Sequence, residues 1–217
     1  MTNDFKASFG SIIFNYEACD ISRFENEVHN IKRRFNFTEA SIKEKEIVFG
    51  GGFPVIGCRV SESRTYIDSV NTGDEYSDVK SVDLIYEISK ILSIKELTIK
   101  KIELIYVVDF DSKENLIAFF TNCDEEQDFG DIDEASFNIV YERNNLKTEL
   151  SFRIKVDKPS YIFARCISQI KFMDAMELYK NLNEVKSYLS EEISRFLSNR
   201  KGDMVVHGGI GNDRKHG

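Results

Sequence analysis

Apolar positions recur along this chain with two periods, about 3.6 and about 2 residues, and their alternation predicts its elements. Phe9, Ile12, Ile13 and Phe14 mark a first strand over about residues 5–15, with Gly10 placed for a bulge. Phe24, Val28, Ile31 and Phe35 then form the stripe of an amphipathic helix that starts near Asp20 or Ser22. Ser22 followed by Glu25 fits a capping box, in which each side chain satisfies a backbone N–H of the first turn. Residues 42–49 and 53–60 read as a hairpin turned by Gly50-Gly51-Gly52, because glycine tolerates the positive φ of tight turns. Pro54 suits the start of the second strand or an edge. Residues 61–78 are polar and read as a loop with a turn at Asn71-Thr72-Gly73-Asp74. Asp78 is placed to cap a second helix carrying Val82, Ile85, Ile88, Ile91 and Leu92 on one side.

The strongest strand follows. Ile102, Leu104, Tyr106, Val108 and Phe110 alternate with Glu103, Ile105, Val107 and Asp109. Both sets are apolar in the middle, which predicts a central strand covered on both faces: the helices on one, the second half of the chain on the other. Leu97 and Ile99 are out of register with it by one residue, so a bulge or short loop is expected at Lys100-Lys101. Residues 112–122, with Leu116, Ile117, Phe119 and Phe120, suit a short helix capped by Ser112 or a strand, and the helix is preferred. A meander comes next, with Phe137, Ile139 and Tyr141 on its first strand and a turn at Arg143-Asn144-Asn145. Its second strand, residues 146–156, has the sharpest period-two alternation in the chain and implies one wet face. A third strand, residues 161–168, lies beyond a turn at Pro159. Leu178, Leu182, Val185, Leu189, Ile193 and Phe196 run down one side of a long helix over about residues 172–197.

These elements make an α+β protein. An N-terminal split β-α-β unit of ferredoxin-like order, residues 1–111, precedes an antiparallel meander and long helix, residues 112–198, that share its core. Residues 199–217, with Gly202, Gly208, Gly209 and Gly211 among polar neighbours, are expected to be a disordered tail.

Charge narrows the function classes. With 29 basic against 37 acidic residues, the net charge of -8 argues against general binding of nucleic acid or anionic membrane. No stretch approaches the roughly 18 apolar residues of a membrane span, and the N-terminal residues carry no apolar signal core. Cys19, Cys58, Cys123 and Cys166 lie far apart with no C-x-x-C pair, which fits reduced thiols in a cytoplasmic protein. Richness in Ile, Asn, Lys and Glu suits a bacterial or phage gene.

Candidate chemistry is sparse. Side chains two apart on a strand point the same way, so Asp109 and Asp111, with Glu114 three residues on, are the candidate Mg²⁺ ligands. They would serve a nucleotide or phosphodiester enzyme. The likeness to palm-type polymerases and cyclases covers fold order and two acids only, and a polar strand end turning into a loop explains the same residues. The acidic run from Asp124 to Glu134 lacks EF-hand spacing and reads as a solvated loop. A strand, not a helix N-terminus, follows Gly50-Gly51-Gly52, which removes a phosphate cradle. His29 is the one histidine on a predicted element, too few for a triad or zinc site. An RNA-processing role of the repeat-RNA endonuclease type is disfavoured by the charge.

The sequence therefore favours a non-catalytic interaction subunit, adaptor or inhibitor in a bacterial or phage assembly such as defence, counter-defence or toxin control. No cofactor is expected. The apolar side of the long helix either covers the meander or meets the partner, another protein or a second copy, through Leu178, Leu182, Val185, Leu189 and Ile193, with Val205 and Val206 in the tail as further contacts.

Overall fold

The computed structural model describes residues 7–72, 75–110, 112–121, 134–143, 146–155, 160–172, 174–200 and 204–207. It is a mixed α+β protein built on one antiparallel sheet. The strands are β1 (Phe9–Asn15), β2 (Glu39–Lys43), β3 (Glu46–Gly50), β4 (Val55–Ser61) and β5 (Arg64–Val70). They continue as β6 (Leu97–Phe110), β7 (Glu134–Arg143), β8 (Leu146–Lys155) and β9 (Ser160–Phe172). Nine of them lie in the order β2-β3-β4-β5-β1-β6-β9-β8-β7, and a tenth, β10 (Met204–His207), pairs with β6. No described helix is long and apolar enough to cross a membrane.

Helices cover one face. They are α1 (Ser22–Glu25), α2 (Val28–Arg34), α3 (Tyr76–Ile91), α4 (Lys113–Thr121) and α5 (Ala175–Ser198). The stripe Phe24, Ile31 and Phe35 is buried as its spacing implies. The capping box does not form: Ile21 holds the cap position, and Asp20 Oδ1 accepts the Ser22 N–H at 3.0 Å. Asp78 lies inside the first turn of α3, after Glu75 at the cap, and pairs with Lys186 of α5.

Two strands depart from the pattern-based expectation. Residues 42–49 divide at Glu44-Lys45 into β2 and β3, and Gly50-Gly51-Gly52 then turns β3 into β4. Gly51 has φ +69°, and a Cβ there would sit 2.0 Å from Thr38 Oγ1. The expected loop at residues 61–78 contains β5. Its inward positions include Thr65 and Ser69, both buried, so its polarity hid it. The Thr65 hydroxyl lies 3.0 Å from the Tyr16 hydroxyl, and Ser69 donates to the Gly10 carbonyl at 3.5 Å. Gly10 itself is in regular register with Ser69 and Leu104, not in a bulge. The bulge expected near Lys100 does form, since pairing with β9 passes from Ile99↔Ile170 to Lys101↔Ile167.

β6 is an interior strand between β1 and β9. Its second face, however, does not meet another layer. The meander hydrogen-bonds to the edge of β6 opposite β1 and extends the sheet sideways, so both halves share one covered face. Ile102, Leu104, Tyr106 and Val108 are buried under the helices, whereas Ile105 and Val107 on the opposite face stay half-exposed. α5 is tied to the sheet by the Tyr106 hydroxyl to Ser190 (3.4 Å) and by the Tyr141 hydroxyl donating to Glu192 Oε2 (2.5 Å). Part of the stretch expected as a disordered tail forms β10.

Candidate functional site on the uncovered face of the sheet

Side chains that point away from the helices follow from the register. Opposite one another across β8, β9, β6 and β1 stand Ser151, Phe163, Ile105 and Phe9. One step along, Arg153, Tyr161 and Val107 form a second row. On the other side of the first row, Glu149, Arg165 and Glu103 form a third. A fourth runs through Ile167, Lys101, Ile13, Tyr66 and Arg59. Strand alternation explains why these residues share a face, and the single helix layer explains why most of them stay partly exposed, with Ser151 and Glu103 the buried exceptions. Tyr161 is 41% exposed and Val140 of β7 is 55% exposed, both large apolar surfaces on a face that carries no helix among the described residues.

Arginines bind this face together. The Arg165 guanidinium lies 5.1 Å and that of Arg153 5.5 Å from the Phe163 ring centroid. Tyr161 and Phe163 rings are 6.2 Å apart. Arg165 also donates to Glu103 Oε2 and, at 2.9 Å, to Glu149 Oε1, while Lys101 Nζ stands 3.6 Å from Glu103 Oε2. Burial opposes the charge on Arg165, but Glu103 and Glu149 outweigh it and hold the guanidinium protonated. Glu103 and Glu149 together fix Arg165 beside the Phe163 ring. At the far end, Arg59 and Arg64 lie 5.7 and 5.8 Å from the Tyr66 ring.

The residues singled out from the sequence fall elsewhere. Leu178, Leu182, Val185, Leu189 and Ile193 are buried against the chain's own sheet, so this stripe is core and not a partner surface. An amphipathic stripe alone does not distinguish the two, because the covering sheet lies far away in sequence. Val205 and Val206 belong to β10 and pair with Asp109 and Val108. Asp109 is thus on β6 as expected, Glu114 is exposed in the first turn of α4, and Asp111 lies outside the described residues. Among the described residues no group of three His, Cys, Asp or Glu side chains is placed to hold a metal ion. The acidic run 124–133 and Cys123 also lie outside them. Burial pushes the Cys166 thiol up to about 11 and raises Cys58 as well, the behaviour of core thiols. Cys19 is raised too, by burial and then by the Asp20 and Glu62 carboxylates, which disfavours a thiolate nucleophile.

Sequence reasoning missed Tyr161, Phe163, Arg153 and Arg165 as a site. A signal was present: in β9, Tyr161, Phe163 and Ile167 put large apolar side chains on the same face as Arg165. Compared with known proteins, the chain matches no family model and no curated protein.

Proposed function

We propose that this protein acts by contact and not by bond-making, docking another protein on the uncovered face of its sheet around Tyr161, Phe163, Ile105 and Phe9. The observation that carries the reading is the joined aromatic row on β9, with Arg153 and Arg165 on the Phe163 ring. Exposed aromatics flanked by arginine are the residue types that dominate protein interfaces. Interleaved Glu103 and Glu149 and the net charge of -8 argue against a nucleic-acid strand on the same rings. The order β4-β5-β1-β6, with helices between, supports a split β-α-β unit enlarged by the β2-β3 hairpin. Composition supports a cytoplasmic adaptor or inhibitor in a bacterial or phage assembly.

Affinity isolation of the full chain from its own cells tests this, alongside the Tyr161→Glu/Phe163→Glu variant. A Tyr86→Glu variant on α3 serves as the control, since Tyr86 is exposed on the helical side. Loss of the co-purifying protein with the double variant alone is expected. Equal recovery with all three chains would refute the assignment.

A further inference from the structure

β6 outruns its neighbour on one side. β1 pairs with it from Asn15↔Thr98 only as far as Phe9↔Ile105, while β6 continues to Phe110. On the opposite edge β9 follows as far as Ser160↔Val108. An interior strand whose peptide groups face no partner loses hydrogen bonds that a folded chain otherwise makes. β10 fills the place, with Met204↔Phe110, Val205↔Asp109, Val206↔Val108 and His207↔Val107. The segment that does so is short, and among the described residues β6 is its only strand partner. Its tether is anchored at Arg200, whose guanidinium lies 4.5 Å from the Phe196 ring and 5.8 Å from Phe119 and donates to the Phe119 carbonyl at 3.2 Å. Only residues 201–203 join that anchor to the strand.

We propose that residues 107–110 of β6 form a strand-acceptor site that takes the 204–207 segment of a second copy, exchanged in trans for the chain's own. The sequence that the structure shows to fit is Met204-Val205-Val206-His207, and every copy carries it. Only four paired residues hold the segment on β6, so few ladder hydrogen bonds are broken when it leaves. The same hydrogen bonds form in cis and in trans. Exchange therefore alters the path of the short tether and adds the cost of association, the condition under which terminal strands swap between protomers.

Single cysteine substitutions on full-length chains test the exchange. Val107 and His207 are directly opposite in the register, so a Val107→Cys chain mixed with a His207→Cys chain can link these two positions only between molecules. The expected result is a disulfide-linked peptide pair joining the substituted position of one chain to that of the other, identified by mass spectrometry after oxidation. Its yield should rise with protein concentration and vanish when Val206→Pro is added to the His207→Cys chain, because proline removes an N–H from the ladder. The double variant in one chain, which should link internally, verifies fold and register. An internal link in the double variant with no link in the mixture at any concentration would overturn exchange. Absence of both links would overturn the acceptor site itself. Neither outcome bears on docking at Tyr161 and Phe163, which the Glu variants test separately.

Discussion

The two faces of β9 are built from similar material and put to different use. Ile162, Ala164 and Cys166 are wholly buried beneath α5 and the meander's other inward residues, while Tyr161, Phe163 and Ile167 alternate with them and remain partly in solvent. Arg165 aside, hydrophobicity does not separate the two sets. What separates them is which side the helices cover, and α3, α4 and α5 all cover the same one. An apolar side chain on the covered face is accounted for by folding. On the uncovered face it is left with surface that folding does not use, and an interaction is the economical explanation for it.

The sharpest way to break this comparison is to truncate one aromatic on each face. Phe152→Ala on the covered face, where the ring stacks 4.3 Å from Phe137, should cost about 3–5 kcal/mol in urea unfolding. Phe163→Ala should cost under about 1 kcal/mol. Equal losses would mean that the second face is also packed. A smaller effect is expected from Arg165→Met, which leaves Glu103, only 8% exposed, without its main counter-charge, at about 1–3 kcal/mol. Adding Glu103→Leu should recover most of that loss, since the stranded carboxylate is then gone.

Alkaline pH probes the covered face. The Cys166 thiol is pushed up to about 11 from an ordinary value of 9.0, and burial also raises Cys58 and Tyr106. A raised folded-state pKa means that the native chain keeps a proton which the unfolded chain releases. Stability is therefore full below about pH 9 and falls as pH climbs towards 11, by about 1–2 kcal/mol for Cys166. Cys166→Ala should flatten that part of the decline in Tm against pH. The least effect is expected from Arg200→Gln, about 0.5–1 kcal/mol, through loss of its stacking on Phe196.

Much of the architecture was legible because its signals are local. The alternation in β6 and β8, the Ser112 cap of α4, whose hydroxyl accepts the Asn115 N–H at 3.2 Å, and the α5 stripe all emerge in place. The misreadings share a physical cause. β5 buries hydroxyls at Thr65 and Ser69 that find partners only across the sheet, so nothing in its own seven residues reveals a strand interior. The α5 stripe, which suits a cover for the meander as well as a partner surface, and the second face of β6, taken as covered, both depend on where distant segments come to rest. Whether the meander stacks on β6 or lengthens its sheet is decided by an edge-to-edge choice that leaves the alternation pattern unchanged. The site was hidden for the same reason, since Phe163 joins Ile105 and Phe9 only through that choice.

Hydroxyl-radical footprinting of the full chain, free and in the complex purified from its own cells, tests the uncovered face most directly. Tyr161 and Phe163 should be oxidised readily in the free chain and protected in the complex, with buried Tyr106 unreactive in both. Unchanged oxidation of Tyr161 and Phe163 on complex formation would contradict a docking role for that face.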